Sequence, residues 1–245
     1  EPMLKISLAA LALLATASGC IIAPADNLAA DTTSSVSQAQ KAAAMTRLVM
    51  QPLDQKKVAS GEEATETVAG QGIAGLYPNG CAVVTQVAPA ELHVEYDHCT
   101  GPFGLVSIDG GVDVSFAIEQ GKLAAHLKDS GDLTVQERAV TYSAQAVVNS
   151  IGIETELAWA GHWETTTADG ASVTHDTDLT ILADNFTHCL QIDGSAKSVV
   201  DDRGIDWTVT DYAVCPLECP ASGVITATDT ESERTIEVEF DGTAV

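Results

Sequence analysis

The chain has 245 residues, of which 45% are hydrophobic but only 4% aromatic, and its formal net charge is −24. A chain of this length can bury a sizeable core, which must consist mainly of Val, Ile, Leu and Ala because aromatic residues are scarce. The negative charge argues against a nucleic-acid partner and against electrostatic docking on anionic lipid, and it suits an exported, highly soluble protein.

The first predicted element is an export signal at residues 1–19. Lys5 supplies a short positive region, and an apolar run and small residues then lead to Cys20. This pattern resembles the signal peptide of bacterial lipoproteins, which is cut before a cysteine that carries the lipids. The resemblance implies a lipidated Cys20 and anchoring in the bacterial cell envelope, on the periplasmic or surface side of the outer membrane. That family usually has Leu where this chain has Ala17, and an ordinary secretory signal cut near Ala17 is the alternative.

Three less regular segments follow the signal. Residues 20–35 are rich in Ala, Asp, Ser and Thr without periodicity, which predicts a flexible tether. Residues 36–50 are rich in helix formers and predict a short N-terminal helix that ends before Pro52. The chain from Gln51 to Gly80 predicts a linker, so residues 36–80 are assigned to helix and linker.

Residues 81–245 are predicted to form an antiparallel β-domain. Apolar and polar residues alternate with a period of two, for example over 112–116 and 236–240, as expected of strands with one buried face. Asp-Gly and Asn-Gly pairs, which favour hairpin turns, separate these runs. The predicted fold class is all-β: an antiparallel meander of roughly a dozen strands, forming a sandwich or an open or closed barrel.

Two hairpins with paired cysteines form a predicted pseudo-repeat within this domain. Cys81 and Cys99 are equidistant from a turn near residue 90, which predicts a disulfide between them. In that register Val84 faces Tyr96 on the core side of the hairpin, and the two sulfurs lie on the other face.

The second hairpin places Cys189 opposite Cys215 and Ile192 opposite Tyr212. A Cys189–Cys215 disulfide is therefore predicted. The alternative is a tight Cys215–Cys219 bridge that leaves Cys189 free, because an odd number of cysteines follows Cys20.

A late segment adds a second resemblance. Cys215-Pro-Leu-Glu-Cys219-Pro220, followed by Gly223, resembles a segment of uncharacterised β-rich bacterial lipoproteins with paired cysteines. The resemblance covers the C-terminal third of the chain and implies no activity.

Candidate ligand motifs are few. Gly70-Gln-Gly72-Ile-Ala-Gly75 fits a dinucleotide-binding pattern, but Pro78 follows it closely and no helix start is predicted there. His93, Glu95 and Asp97 are predicted to share one face of a strand, where they would suit a divalent ion. A solvated strand face explains the same pattern, and no metal or other cofactor is expected.

A second group of histidines has the same ambiguity. His162 and Glu164 are predicted to share a face, whereas His175 points away from Asp176 and Asp178 on its strand. The sequence has no Gly-x-Ser-x-Gly motif and no spacing that selects a Ser–His pair, so no catalytic residue is assigned.

The expected function is a non-enzymatic binding or scaffolding role in the envelope, with an envelope protein, a glycan or a hydrophobic ligand as partner. The alternatives are a carrier of lipid or another hydrophobic ligand, and an envelope hydrolase. Trp159 is predicted to face the core. Trp163 and Trp207 lie near turns, where aromatic side chains in some proteins form a platform for sugars or peptides, but burial in the core is the favoured interpretation.

Overall fold

The computed structural model describes residues 28, 45–46, 49–53, 58–73, 76–100, 107–151, 154–167, 170–184, 189–214 and 222–240. Within these ranges the chain forms an antiparallel sheet of thirteen strands together with the α-helix α1 (Gly61–Gln71). The predicted all-β class, the antiparallel meander and the number of strands are confirmed.

The sheet is open. Its strands are β1 (Ala82–Ala88), β2 (Glu91–Thr100), β3 (Ser107–Glu119), β4 (Lys122–Asp129), β5 (Thr134–Val135), β6 (Arg138–Ala139), β7 (Thr141–Ile151), β8 (Glu154–Thr166), β9 (Ser172–Asp184), β10 (Leu190–Val200), β11 (Arg203–Val214), β12 (Ser222–Asp229) and β13 (Thr235–Phe240). Consecutive strands are neighbours except that β4 pairs with β7, and the short β5 and β6 form a side ribbon against β3. Strands β1 and β13 are the two edges, and they do not pair with each other in the described part of the chain.

The two faces of the sheet differ in burial. On the inner face, alternate side chains are buried in one continuous core, as are Trp159 and Trp163 of β8. On the outer face the intervening side chains are exposed or half-buried, as are Ala160 and His162 of the same strand. This difference follows from the period of two that the sequence shows.

Helix α1 occupies part of the segment predicted as a linker, and that prediction is wrong for α1. The Ser60 hydroxyl accepts a hydrogen bond from the backbone N–H of Glu63 at 3.1 Å, and the Glu63 carboxylate accepts one from Ala59 at 2.8 Å. This Ser-x-x-Glu pattern is a variant of the capping box, in which the carboxylate bonds the residue before the N-cap, and it marks a helix start. Ala64 and Val68 of the helix are buried in the same core as the sheet.

The Gly-rich pattern lies at the end of α1. Gly72 is the C-cap residue with φ of 68°, and its N–H donates to the carbonyl of Val68 at 2.8 Å. Glycine is favoured at this position because it tolerates positive φ. A phosphate site would need the start of a helix, so this part of the pattern serves helix termination; Gly75 lies outside the described residues.

Residues from the N-terminal part of the chain complete the core. Met45 and Val49 are helical and buried, in agreement with the predicted helix. The Thr46 hydroxyl accepts a hydrogen bond from Trp159 Nε1 at 2.8 Å and is 2.6 Å from the Tyr142 hydroxyl. Leu28, which falls inside the predicted tether, is buried as well. None of the described helices is long and apolar enough to span a membrane.

The first cysteine hairpin contains the predicted disulfide in a different register. Cys81 and Cys99 are bonded, with 5.3 Å between their Cα atoms, which confirms the pairing. Val84 lies opposite Val94 and not opposite Tyr96, so the predicted register is wrong by two residues.

A β-bulge explains why the disulfide forms in spite of this difference. The pairing of β2 with β3 shifts between Tyr96 and Cys99, and His98 within the shift has φ of 50°. The extra residue turns Cys99 to the inner face. Cys81 and Cys99 are both buried there, so the predicted placement of the sulfurs on the other face is wrong.

The second cysteine hairpin has the predicted register. Ile192 lies opposite Tyr212, and Leu190 opposite Val214. Cys189 is disulfide-bonded, which excludes the alternative in which its thiol is free. Cys215 lies outside the described residues, as do Cys219 and Cys20, so the Cys189–Cys215 pairing stays a prediction.

Candidate functional site

A groove of about 690 Å³ crosses the outer face of the sheet between β4 and β10. We call it the outer groove. The groove forms because small side chains occupy the outer positions of neighbouring strands. These are Ser143 on β7, Ala160 on β8 and Ser195 on β10. Its charged or titratable lining residues are His126, Lys128, His162, Asp176, Asp178 and Lys197.

Strand register assembles one continuous polar row in this groove. Directly opposed pairs link Lys128 to Ser143, Ser143 to His162, His162 to Asp176, and Asp176 to Lys197. Since neighbouring strands are about 4.8 Å apart, the two lysines are separated by about 19 Å measured along the sheet. Residues far apart in the sequence thus form one surface.

The two lysines are available to a ligand. Neither Lys128 nor Lys197 forms an ion pair with a carboxylate among the described residues. The whole chain has only 11 Lys and Arg residues against 35 Asp and Glu residues. Two of the three lysines among the described residues therefore line this one groove, where their ammonium groups offer sites for an anionic group.

His162 is held between two carboxylates at the centre of the row. Its Nδ1 is 2.7 Å from an Asp176 oxygen, and its Nε2 is 3.2 Å from a Glu164 oxygen. Partial burial lowers the pKa of His162, but the hydrogen bonds and negative charges of Asp176 and Glu164 outweigh it and raise the pKa above 6.5. The imidazole is thus predisposed to carry a proton.

The same arrangement occurs a second time on β2 and β3. His93 Nδ1 is 2.8 Å from Asp113, and His93 Nε2 is 3.1 Å from Glu95. The hydrogen bond to Asp113 is the main reason that the pKa of His93 is raised; burial opposes it, and Glu95 adds to it. In both clusters a His-x-Glu pair on one strand meets an Asp on the next, and the carboxylates contact different ring nitrogens.

The structure brings together only two of the three residues, His93, Glu95 and Asp97, that were predicted to share one face of a strand. Glu95 lies beside His93 as predicted, but Asp97 belongs to a different cluster with His98 and Asp109 beyond the bulge. These three residues are the one group among the described residues whose ligand atoms all lie within 4.8 Å of one another. The cluster is largely exposed, and the backbone N–H of His98 donates to Asp109, so its evident role is to hold the bulge.

His175 lies on the inner face, opposite in direction to Asp176, as predicted. Its Nδ1 is 2.6 Å from the Ser198 hydroxyl, and its ring stacks on Trp207 with 5.5 Å between centroids. Burial lowers the pKa of His175 to about 4, because the charged form would lose its hydration. Its Nε2 is buried without a hydrogen-bond partner, as is Nε1 of Trp163, which lies directly opposite.

The tryptophans do not form a surface platform. Trp159, Trp163 and Trp207 are at most 3% exposed. The prediction that Trp159 faces the core is confirmed, as is the favoured burial of Trp163 and Trp207, and the alternative of a surface platform for sugars or peptides is excluded. All three side chains stabilise the inner face instead.

The chain was compared with protein-family models, with curated proteins and with solved structures, and none of the three comparisons finds a match. Assignment of a function therefore depends on the chemistry of the residues described above.

Sequence reasoning missed the outer groove and both Asp partners of the histidine clusters. Lys128 and Asp113 attract no attention in the sequence, because each is one polar residue in an alternating strand. The recoverable signal is the repeated His-x-Glu spacing at 93–95 and 162–164. Finding the Asp partners and the groove required the register of the strands.

Proposed function

We propose that this chain is a non-enzymatic lipoprotein of the bacterial envelope that binds carboxylate-bearing cell-wall fragments in the outer groove. The observation that carries the proposal is the pair of unpaired lysines, Lys128 and Lys197, in the groove of a chain with a net charge of −24. Cell-wall fragments combine carboxylates, amides and hydroxyl groups, and the groove offers ammonium, carboxylate and hydroxyl groups to match.

The lining favours a polar ligand over a lipid. The groove presents two lysines, two aspartates and two histidines to solvent, and burying an acyl chain against them would desolvate these charges without compensation. The apolar inner face, which a carrier would need as its lumen, is occupied by buried side chains such as Trp159, Trp163 and Met45. Both features support a binding protein for polar ligands over the carrier alternative.

The geometry of His162 supports a non-enzymatic role. Ser143, His162 and Asp176 follow one another in the polar row, as a nucleophile, base and orienting carboxylate would. A catalytic histidine bonded to Asp through Nδ1 must present Nε2 to the serine. Here Nε2 is bonded to Glu164, which favours the protonated ring and opposes its action as a base.

Retention on purified, insoluble cell-wall material tests the proposal. Replacing Lys128 and Lys197 together by Ala should weaken retention about tenfold or more, because both cationic contacts are lost. Lys122→Ala removes one exposed positive charge outside the groove and is the matched control. Unchanged retention of the double variant, or equal weakening by Lys122→Ala, would contradict the proposal.

The proposed anchor is a lipidated Cys20, which rests on the resemblance of residues 1–20 to a lipoprotein signal. Cys20→Ser should release the protein from the membrane fraction or leave it unprocessed with a larger mass. A variant that stays membrane-bound at unchanged size would exclude the anchor while leaving the groove proposal to its own test.

A further inference from the structure

The two edges of the open sheet are protected to different degrees. Strand β13 carries Glu237 and Glu239, whose exposed charges discourage the addition of another strand. Strand β1, with the sequence AVVTQVA, has no charged residue. Val83 and Val87 on β1 are 54% and 59% exposed, and they are two of the five large hydrophobic side chains that are strongly exposed among the described residues. An uncharged edge of this kind is a site for pairing with another strand.

The backbone of β1 has hydrogen-bonding groups directed away from the sheet. Asp97 N donates to Cys81 O at 2.9 Å, which sets the hydrogen-bonding pattern of the two strands, so Val83, Thr85 and every second residue after them direct their backbone groups towards β2. The N–H and C=O groups of the residues in between, Val84 and Gln86, therefore point outwards. No backbone hydrogen bond of these outward groups occurs among the described residues.

The residues of β1 are nearly symmetric about Thr85. Ala82 corresponds to Ala88 and Val83 to Val87 when the strand is read in the two directions from Thr85. A two-fold interface requires such a self-complementary surface, because each residue meets its counterpart in reverse order. The pattern of backbone hydrogen bonds also agrees with a two-fold axis at Thr85. Val84 of one copy would lie opposite Gln86 of the other, and both residues have outward-facing backbone groups.

We infer that β1 pairs antiparallel with β1 of a second copy of this chain, with the two-fold axis at Thr85. Val84 and Gln86 exchange backbone hydrogen bonds across the axis in both directions. The exposed Val83 of each copy packs against Val87 of the other, and the two Thr85 side chains lie directly opposite. Because the pairing strand is short, the interface is small and the dimer forms in the micromolar range or above.

Site-specific crosslinking of the full chain in cells tests the inference. Opposed residues in a non-hydrogen-bonded pair bring their Cα atoms to about 4.5 Å, within the range that a disulfide bridges. Thr85→Cys should therefore give a covalent dimer on a non-reducing gel. Thr235→Cys, on the charged edge β13, is the matched control and should stay monomeric. Equal dimer yields from the two variants would overturn the inference.

Charge exchange at the axis gives an independent measurement. Thr85→Lys and Thr85→Glu each place like charges opposite each other and should weaken dimerisation of the full chain in sedimentation experiments by about tenfold or more. An equal mixture of the two variants should restore the dimer, because opposite charges then meet. A wild-type chain that stays monomeric at several hundred micromolar, or a mixture that is no more associated than the separate variants, would overturn the proposed pairing.

Discussion

Two histidines on neighbouring strands show how strongly the two faces of this sheet differ. His162 on β8 faces outwards between two carboxylates, and its pKa is raised. His175 on β9 faces inwards against Trp207, and burial lowers its pKa to about 4. The two strands are directly paired, so distance along the sheet does not explain the difference. The direction of the side chain therefore decides whether neighbouring carboxylates or burial sets the pKa of the histidine.

The difference between the two faces also predicts which substitutions affect stability and which affect binding. Inner-face polar groups are few, and several of them, such as Trp163 Nε1, have no hydrogen-bond partner among the described residues. Outer-face polar groups contact carboxylates or are exposed. Substitutions on the inner face should therefore change the free energy of unfolding, whereas outer-face substitutions should change binding with little effect on folding.

Trp159→Ala should have the largest effect. The side chain is 1% exposed, and its Nε1 donates to Thr46, so the substitution leaves a large cavity and removes one of the hydrogen bonds that tie Thr46 to the sheet. The expected loss is about 3–5 kcal/mol of unfolding free energy, measured by urea denaturation. Thr208→Ala on the outer face is the control, with an expected change within about 0.5 kcal/mol. Equal effects of the two substitutions would show that the faces are not distinct.

Removal of the Cys81–Cys99 disulfide should come next. Replacing both cysteines by Ser opens the loop closed by the bond and should cost about 3 kcal/mol. The double variant leaves no single unpaired thiol to exchange with the disulfide of Cys189. Thermal unfolding under non-reducing conditions measures the effect. A melting temperature equal to that of the wild type would mean that the β-bulge and the core hold this hairpin without the bond.

The titration of His175 should make the inner face sensitive to acid. Its pKa is about 6.5 when unfolded and about 4 when folded, so the unfolded chain binds the proton first as the pH falls. Stability should therefore decrease between pH 6.5 and 4, by at most about 1.4 kcal/mol per pH unit from this group. His175→Phe should remove this component of the pH dependence in denaturation experiments between pH 7 and 4.5. An unchanged pH slope in that variant would refute the assignment to His175.

Much of the fold could be predicted from local sequence patterns, namely the alternation of apolar and polar residues and the symmetry of the hairpins. The alternation over 112–116 predicted which face of β3 is buried, and the hairpin symmetry predicted Ile192 opposite Tyr212. Helix α1 was missed although the Ser60–Glu63 capping box marks its start, because its residues are polar and its apolar face is narrow.

What local pattern did not provide was the effect of an inserted residue. The bulge at His98 turned Cys99 to the inner face, so the disulfide forms although β1 and β2 pair two residues away from the predicted register, and no regular alternation contains that information. The outer groove was missed for a related reason. It depends on small side chains such as Ser143 and Ser195 becoming neighbours through the register of several strands.

His162→Gln should have the smallest effect and the opposite dependence on pH. Because the pKa of His162 is higher in the folded chain than in the unfolded one, the protonated ring stabilises the fold at pH values below 6.5, and this contribution is lost as the pH rises through the folded pKa. The side chain is 34% exposed, so solvent screening limits the contribution to about 1 kcal/mol or less. Urea denaturation at pH 5.5 should show the variant less stable than the wild type, and the difference should shrink at pH 8 and in high salt.

His93→Gln, which disrupts the equivalent cluster on β2, should behave in the same way. A loss of stability that is equal at both pH values would mean that the His162 ring stabilises the fold by packing and not by its charge. The opposite pH dependences of His162 and His175 would then be contradicted.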